Sequence, residues 1–314
     1  MNFEDTGHRP VLLEEVIDVL KPNGNETYFD ATFGNGGYSE RLLDMCDCKI
    51  IAIDQDPNVQ EKANQLKKKY NHRFNFYKGK FSEISKVMKK AEQKKVNGFT
   101  FDIGVSSMQL DNSNRGFSFM RDGPLDMRMN SRGPTAADLI NTLKEDELAD
   151  IIYHYGDEHK SRKIARRIAE YRKNHKISTT NELAEIIKKC FPGKYYKKHP
   201  ATKTFQSIRI YLNNEIEELC AGLNNSVKYL VEGGKLCVVS FHSLEDRIIK
   251  NFFKFSDNNL TSNTNSFLKC KNKVIKPTEN EVKNNSRSRS AKLRFGIRSK
   301  NLASEISLSQ LGLN

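Results

Sequence analysis

The fold is decided by the stretch Asp30-Ala31-Thr32-Phe33-Gly34-Asn35-Gly36-Gly37, which follows a short apolar run. The apolar run predicts a buried parallel strand, and the residues after Gly37 predict the start of a helix. The glycines then fall in the turn between strand and helix, where the backbone must come close to a ligand. Taken alone, such a segment is equally compatible with a tight turn that binds nothing.

A second apolar run, Ile50-Ile51-Ala52-Ile53, ends in the carboxylate Asp54. A carboxylate at the end of the next strand can accept both ribose hydroxyls of a nucleoside, although an Asp at this place is also a common helix cap. Ser39 replaces the third glycine of the dinucleotide fingerprint, and Asp30 precedes the first glycine. Both departures favour S-adenosylmethionine over a nicotinamide dinucleotide.

The charge of the chain makes a polyanionic partner plausible. Its 314 residues can bury a full core, either as one large domain or as a domain with an insertion. There are 52 Lys+Arg against 39 Asp+Glu, a formal net charge of +13, which attracts phosphate without regard to sequence. A lysine-rich drift in base composition would have the same effect, so the clustering of the charge matters more than its total.

Cysteine spacing and hydropathy limit the class of protein. The six cysteines show no paired C-x-x-C spacing with His ligands, so we expect no metal site. No apolar run approaches the roughly 20 residues that span a bilayer, so we expect no membrane partner and a reduced, cytoplasmic protein. The sequence leaves open whether the protein forms a homo-oligomer.

Short apolar runs alternate with helix-length segments, which predicts an α/β fold with a mostly parallel sheet. The predicted strands cover Thr27–Phe29, Lys49–Ile53, Phe74–Tyr77, Phe99–Phe101, Lys235–Ser240, a segment near Lys273–Lys276, and Leu293–Arg298. The gap between the fourth and the fifth strand is far longer than a crossover helix requires. A folded insertion must therefore lie between them.

The gap has helical periodicity, for example at Leu148, Ile151 and Ile152. We therefore predict a helical domain at residues 106–208, inserted after the fourth strand into a sheet domain of residues 1–105 and 209–314. A long amphipathic helix over Ile210–Val231, ended by Gly233-Gly234, should resume the sheet domain. The polar segment Ser256–Ser266 predicts a mobile surface loop.

Six motifs, in order along the chain, resemble those of the bacterial small-subunit ribosomal RNA cytosine-N4 methyltransferases, the RsmH/MraW family. They lie at Gly7–Leu13, Phe99–Phe119, Gly123–Met129, His199–Gln206, Ser240–Arg247 and Arg287–Arg294. The resemblance covers nearly the whole chain. It implies a Rossmann-like class I methyltransferase that uses S-adenosylmethionine, without a metal, to methylate N4 of a decoding-centre cytidine, cytidine 1402, in the 16S rRNA of the small ribosomal subunit.

The same resemblance implies which residues contact the cofactor. These are Gly36, Gly37, Tyr38, Asp54, Phe81, Asp102 and Gln109. The family commonly has His where this chain has Tyr38, so any chemical role of an imidazole there would not carry over. The helical insertion would be the substrate-recognition domain.

Physical roles can be assigned beside the family pattern. Gly36 and Gly37 allow close approach of the methionine end near a helix N-terminus, and Asp54 suits the ribose hydroxyls. Phe81 can pack on adenine, and Asp102 lies where the methyl group should point. The structural alternatives are a core aromatic for Phe81, a cap for Asp102 and an exposed loop amide for Gln109.

Catalysis on cytosine N4 needs an acceptor for one N–H, because the lone pair of the amine is delocalised into the ring. Asp102, or a backbone carbonyl just after it, is the first candidate. The chain has Asp102-Ile103-Gly104-Val105 in place of the Asp-Pro-Pro-Tyr pattern of other amino-group methyltransferases, so the geometry of those enzymes cannot be transferred to it. His242, directly after the fifth strand, is the second, with a purely structural role as the alternative. Methylation at C5 would need a thiolate, but no cysteine lies directly after the fourth strand. Cys237 falls within a predicted buried strand and is better explained as a core residue.

Contact with RNA should come from clustered cations. Lys269–Lys300 contains eleven Lys/Arg and two Asp/Glu. The candidate contacts are Arg287, Arg289, Arg294 and Arg298 in this tail, Lys160, Arg162, Lys163, Arg166 and Arg167 on one helix, and Lys194-Tyr195-Tyr196-Lys197-Lys198, whose rings suit stacking on unpaired bases. Solvated surface is the alternative for each. Two other functions stay open: a non-catalytic RNA-binding protein, and an enzyme of this fold acting on DNA or on a membrane-associated substrate.

Overall fold

The structure, a computed structural model, describes residues 10–193, 199–257, 266–270 and 274–313. The described residues form two compact units. The sheet unit comprises Met1–Gly104 and Ile216–Asn314, and the helical unit comprises Val105–Glu215. Residues 7–9 of the first motif, the stacking segment Lys194–Lys198 and most of the predicted loop Ser256–Ser266 lie outside the described residues.

The strands of the sheet unit form one sheet. They are β1 (Thr27–Asp30), β2 (Lys49–Asp54), β3 (Phe74–Lys78), β4 (Val96–Asp102), β5 (Leu230–Ser240), β6 (Leu268–Cys270) and β7 (Lys292–Arg298). Their order in the described residues is β3-β2-β1-β4-β5-β7-β6. β1 to β5 are parallel, and β7 runs antiparallel to both of its neighbours. The predicted Rossmann-like α/β fold is confirmed.

The helices alternate with the strands in the sheet unit and follow one another in the helical unit. They are α1 (Leu13–Leu20), α2 (Gly37–Met45), α3 (Gln60–Tyr70), α4 (Ile84–Lys90), α5 (Ser107–Asp111), α6 (Ala136–Thr142), α7 (Glu145–Gly156), α8 (Ser161–Tyr171), α9 (Thr180–Lys188), α10 (Thr202–Asn213), α11 (Glu215–Tyr229), α12 (Ser243–Asp257) and α13 (Glu279–Asn284).

The core of the sheet unit explains why the central strands read as continuous apolar runs. A parallel strand is covered by helices on both faces, so both of its faces must be apolar. Phe29 of β1 and Phe99 of β4 are fully buried, and their rings stack with centroids 4.9 Å apart. Burial of each such side chain contributes about 1.5–3 kcal/mol. This packing fixes the carboxyl ends of β1 and β4 side by side.

The helical unit has its own apolar core. Ile164, Ala165 and Ile168 on one face of α8 are buried in it, while the cations of the opposite face are exposed. The helical periodicity of this segment is therefore confirmed. α9 begins with a capping box, in which the Thr179 hydroxyl accepts from the Glu182 N–H and the Glu182 carboxylate accepts from the Thr179 N–H.

The single helix predicted over Ile210–Val231 is wrong. α10 ends at Asn213, and Asn214 adopts a left-handed conformation with φ 52° before α11 begins. Asn tolerates this conformation better than most residues, so no glycine or proline marks the break. Gly233, with φ 78°, does not end a helix but lies in β5, where the pairing with β4 is irregular.

The boundary between the units also differs from the predicted numbers. The helical unit extends to Glu215, whereas we placed the return to the sheet domain at residue 209. Phe205 and Ile208 of α10 belong to the apolar core of the helical unit, so α10 is packed as part of that unit.

The sixth strand is not at Lys273–Lys276. It is β6, where Leu268 is fully buried, and Ile275 only makes an isolated bridge with Leu293. A strand of three residues is too short to show an alternating pattern. The seventh strand was predicted within one residue of its observed start.

Arg298 does not belong to a basic surface. It is 8% exposed, and its guanidinium donates to the backbone carbonyls of Val227 at 3.2 Å, Phe267 at 2.9 Å and Ser299 at 2.8 Å. These hydrogen bonds join α11 to the residue just before β6 and to the residue just after β7.

We expect Arg298→Met to lower the free energy of unfolding by about 2 kcal/mol or more, because it leaves buried carbonyl groups without donors. Urea denaturation measures this loss. The control is Lys300→Met, a substitution of the same type at an exposed position two residues away. Equal stability of the two variants would contradict the structural role of Arg298.

Candidate active site

Three carboxylic acids end three neighbouring parallel strands. Asp54 ends β2, Asp30 ends β1 and Asp102 ends β4, and the strands are adjacent in the order β2-β1-β4. The order of the strands reverses at this point: β2 and β3 follow β1 toward one edge of the sheet, whereas β4 lies on the other side of β1. Ligands of open α/β sheets bind in the crevice at this switch point, beyond the carboxyl ends of the strands.

Asp30 organises the glycine-rich turn. It is 1% exposed, and its carboxylate accepts the Ser39 hydroxyl at 2.6 Å and the Thr32 N–H at 3.2 Å. The Thr32 hydroxyl in turn accepts the Asp102 N–H at 2.6 Å. Burial raises the pKa of Asp30 to about 6 despite these hydrogen bonds. Asp30, the acid that precedes the first glycine, therefore joins the glycine-rich turn to the ends of β1 and β4.

The glycines of the turn are required by packing and by backbone conformation. Gly34 and Gly36 have φ 50° and 75°, a region that favours glycine. A Cβ on Gly36 would lie 2.9 Å from the Phe33 ring, and one on Gly37 would lie 2.0 Å from Cγ of Pro10. The turn leads directly into α2, whose N-terminal N–H groups attract an anion.

Tyr38 attaches the segment before α1 to this turn. Its side chain is buried, and its hydroxyl donates to the carbonyl of Val11. The next residue, Leu12, donates its N–H to Oε1 of Glu281 in α13 at 2.8 Å. The phenol is therefore used within the protein, and a contact of Tyr38 with the cofactor would come from its backbone.

Asp54 is held by two loops. One carboxylate oxygen accepts the Gly34 N–H at 2.8 Å, and the other accepts the Asp56 N–H at 2.9 Å. Burial raises the pKa of Asp54 to about 6. Because a carboxylate oxygen can accept more than one hydrogen bond, the fixed group is suited to two adjacent hydroxyls.

Phe81 has features of a residue that packs on adenine and features of a core aromatic. It lies in the short 3-10 turn Phe81–Glu83 that follows β3, and its ring meets that of Phe101 edge-on at 5.4 Å. A Cβ on Gly222 would lie 2.8 Å from Cβ of Phe81, so part of the residue packs against α11. The residue is only half-buried, and packing on adenine remains a prediction.

The carboxyl group of Asp102 is not fully satisfied by the described residues. Its Oδ1 is buried without a hydrogen-bond partner among the described residues. Burial, together with the charges of Asp30, Glu245 and Glu281, raises the pKa of Asp102 to about 8. A buried polar atom without a partner is costly, and a bound donor or cation would relieve that cost.

His242 caps α12. Its Nδ1 accepts the Glu245 N–H at 3.3 Å, and Glu245 accepts the N–H groups of Phe241 at 2.9 Å and His242 at 3.3 Å. Nε2 lies 2.9 Å from Oε1 of Glu245. These contacts favour the structural alternative for His242. Glu245, which is 2% exposed, was not singled out from the sequence, although the His-x-x-Glu spacing has the form of a capping box.

Gln109 belongs to the helical unit, whereas the other predicted cofactor residues belong to the sheet unit. It is 6% exposed, its side-chain oxygen accepts the Ser106 N–H at 3.0 Å, and its own N–H donates to the Ser106 hydroxyl at 3.3 Å. It is therefore not an exposed loop amide but part of a capping box at the start of α5.

Some of the predicted RNA-binding cations are paired. Arg294 and Lys292 each lie 2.7 Å from an oxygen of Asp246. Burial alone would raise the pKa of Asp246, but these two partners hold it below its usual value. Arg287 and Arg289, in the turn Ser286–Ser290, are exposed, so they remain the candidates in the tail.

The basic face of α8 is partly paired as well. Arg162 lies 2.8 Å from Asp150, and Arg166 lies 3.6 Å from Glu145. All four side chains are largely exposed, so these pairs contribute little to stability. Lys163 and Arg167 are exposed on the same face.

Methylation at C5 through a thiolate finds little support in the environment of Cys237. Cys237 is buried within β5, and burial raises its pKa, so it is unsuited to act as a thiolate. Over the described ranges, no group of three His, Cys, Asp or Glu side chains could hold a metal ion. No helix in the same ranges has the length and hydropathy needed to cross a bilayer.

Comparison with known proteins gives consistent matches. The family model of the MraW methylase family matches residues 5–299. Ribosomal RNA small subunit methyltransferase H of Rickettsia akari is 48% identical over 299 residues, which cover 91% of this chain and 97% of the relative. The protein of the same name from Rickettsia prowazekii is 48% identical with the same coverage. A solved rRNA methylase from Streptococcus thermophilus covers 93% of this chain and 98% of its own at a TM-score of 0.41 and 9% identity, a likeness too distant to indicate a reaction.

The raised pKa of Asp102 leads to a prediction about stability. Because the folded protein holds this proton more tightly than the unfolded chain, the free energy of unfolding should fall as the pH rises from about 4 to 8. We expect Asp102→Asn to be more stable than the wild type at pH 8, by on the order of a few kcal/mol, and equally stable near pH 4. Urea denaturation at both pH values measures the difference.

The matched control is Asp18→Asn on the exposed face of α1, which should change stability little at either pH. An Asp102→Asn protein that is less stable than the wild type at pH 8 would show that the ionised carboxylate has a stabilising partner.

Proposed function

The chain belongs to the MraW methylase family, and on this basis we propose that it transfers a methyl group from S-adenosylmethionine to N4 of a cytidine in 16S rRNA. The names of the relatives support small-subunit rRNA as the substrate, and the family resemblance points to cytidine 1402 of the decoding centre. One observation carries the reaction: the half-buried Asp102 has a buried oxygen, Oδ1, without a hydrogen-bond partner among the described residues, at the end of the strand next to β1 and its glycine-rich turn.

The residues of the sheet unit fit the methyl donor. The N-terminus of α2, which begins at Gly37, would attract the carboxylate of the donor. Asp54 would offer its two oxygens to the ribose hydroxyls. When bound, S-adenosylmethionine would supply an electrophilic methyl group on a sulfonium, which leaves as a neutral thioether. The positive charge would lower the pKa of Asp102 and favour its ionised form.

The ionised Asp102 would then act on the amine. Its carboxylate accepts one N–H of the cytosine amine, which orients the nitrogen and raises its electron density. The nitrogen lone pair forms the new N–C bond while the electrons of the S–C bond remain on sulfur. The proton lost from N4 passes to Asp102 and from there to water. Positioning and local electrostatics supply most of the catalysis.

Recognition of RNA would use exposed cations. Arg287 and Arg289 of the tail, and Lys163 and Arg167 of α8, are exposed and suit phosphate groups. The helical unit would be the substrate-recognition domain. A target base must be unstacked before its amine can reach a buried carboxylate, which favours unpaired RNA of the small ribosomal subunit as the partner.

The test is methyl transfer from labelled S-adenosylmethionine to purified small subunits, to free rRNA and to DNA, followed by mass spectrometry of the nucleosides. We expect N4-methylcytidine from small subunits. Methyl on C5 or on ribose, or equal transfer to DNA, would overturn the proposed substrate. A calorimetric titration without saturable heat from the donor would instead indicate a non-catalytic RNA-binding protein.

A second prediction concerns Asp54. Asp54→Ala should weaken binding of S-adenosylmethionine by roughly 1–3 kcal/mol, because it removes a charged hydrogen-bond acceptor. Isothermal titration calorimetry measures the affinity. Asp47→Ala, at an exposed position in the same unit, is the control, and thermal unfolding checks that both variants are folded. An unchanged affinity for Asp54→Ala would remove this residue from the site.

A further inference from the structure

Two aromatic rings of the helical unit form a stack at its surface. The rings of Phe119 and His199 have centroids 4.5 Å apart and an interplanar angle of 32°. Phe119 also meets the ring of Phe205 edge-on at 4.9 Å, and Phe205 is 4% exposed. The inner ring is therefore anchored in the apolar core, whereas His199 is exposed.

The ring of His199 is held in a defined orientation. Its Nδ1 accepts the Ala201 N–H at 3.2 Å, so in the neutral ring the proton lies on Nε2. Burial and the charge of Lys188 lower the pKa of His199, against an opposing effect of Glu185. The lowered pKa favours the neutral ring, which interacts through its face and the Nε2–H donor.

An exposed apolar side chain continues this surface. Met120, next to Phe119 in the chain, is 81% exposed. Its N–H donates to the Ser118 hydroxyl at 3.2 Å. A little further on, Asp122 accepts the Asn181 N–H at 3.0 Å, which ties the segment to the start of α9. The loop that carries Met120 therefore has a hydrogen bond on each side of this residue.

Positive charge lies on the same loop. Arg121, which follows Met120, is exposed. Lys188 of α9 also lies near His199, although it is paired with Glu185 at 3.0 Å. A flat ring face with a neighbouring apolar side chain and cations is the combination used to bind single-stranded nucleic acid. Any nucleobase can stack on such a face, while the cations meet the phosphates.

We propose that His199, supported by Phe119, is a stacking platform for an unpaired nucleobase of the RNA substrate, and that Met120, next to Phe119 in the chain, adds apolar surface. This inference rests on the proposed function, because it takes the polyanion that binds the chain to be RNA. It assigns binding, not catalysis, to the exposed ring of His199.

The experiment measures binding of a fluorescent single-stranded oligocytidylate to the full-length protein by anisotropy at several salt concentrations. We expect His199→Ala to raise the dissociation constant roughly fivefold or more. The slope of log K against log salt should stay at the wild-type value, because the ring carries no charge that contacts phosphate. The variant His199→Tyr keeps a ring and should bind much more tightly than His199→Ala.

The matched control is His175→Ala. His175 is also exposed and also lies on an aromatic ring of the helical unit, that of Tyr171 at 5.4 Å. Tyr171, unlike Phe119, has no exposed Met next to it in the chain. The control variant should bind RNA like the wild type. A double variant, Arg287→Gln with Arg289→Gln, gives the contrasting signature, a flatter salt slope.

Two results would overturn the inference: wild-type affinity in His199→Ala, or an equal loss in His199→Tyr and His199→Ala. If His199→Ala fails to fold by thermal melting, Met120→Ala replaces it, with an expected loss of about twofold, and an unchanged affinity then counts against the platform. Methyl transfer by the wild type to small subunits tests the proposed function without any variant. A failure of the stacking platform alone would leave this activity in place.

Discussion

One electrostatic constraint governs the sheet unit: three carboxyl groups, one buried and two half-buried, lie at the edge where β2, β1 and β4 end. Buried carboxylates lose hydration and repel one another, so each folded acid holds its proton more tightly than it would in water. The glycine-rich turn offsets part of this cost by aiming backbone N–H groups and hydroxyls at Asp30 and Asp54. Asp102 receives no such help from the described residues, which makes it the group most responsive to a cation.

The strands that build this edge could be read from the sequence because local patterns determine them. β1, β2 and β4 are short segments rich in apolar and aromatic residues, and each ends in an acid. Elements without a local signal were harder. The break between α10 and α11 depends on Asn214, a residue that helices also contain, and β6 is too short to show a period. Tertiary packing decides both, and no window of neighbouring residues contains that information.

Side-chain partners are the part of the site that the sequence does not reveal. A count of cations treats each one as exposed, yet Arg298 is buried among carbonyl groups and Arg294 is paired with Asp246, 48 residues earlier in the chain. Likewise, a histidine at the end of a strand suggests chemistry, but His242 is engaged by the first turn of α12. The types of residue at the strand ends were predictable, whereas their hydrogen bonds depend on distant segments.

The contact between Leu12 and Glu281 has a consequence for how the protein matures. The segment that covers the glycine-rich turn is held on one side by Tyr38 and on the other by α13, which lies near the far end of the chain. During synthesis, a nascent polypeptide would have to emerge at least as far as Glu281 of α13, 269 residues after Leu12, before these pieces could meet. Chains that stop before α13 would therefore lack the contact that holds the segment over the glycine-rich turn.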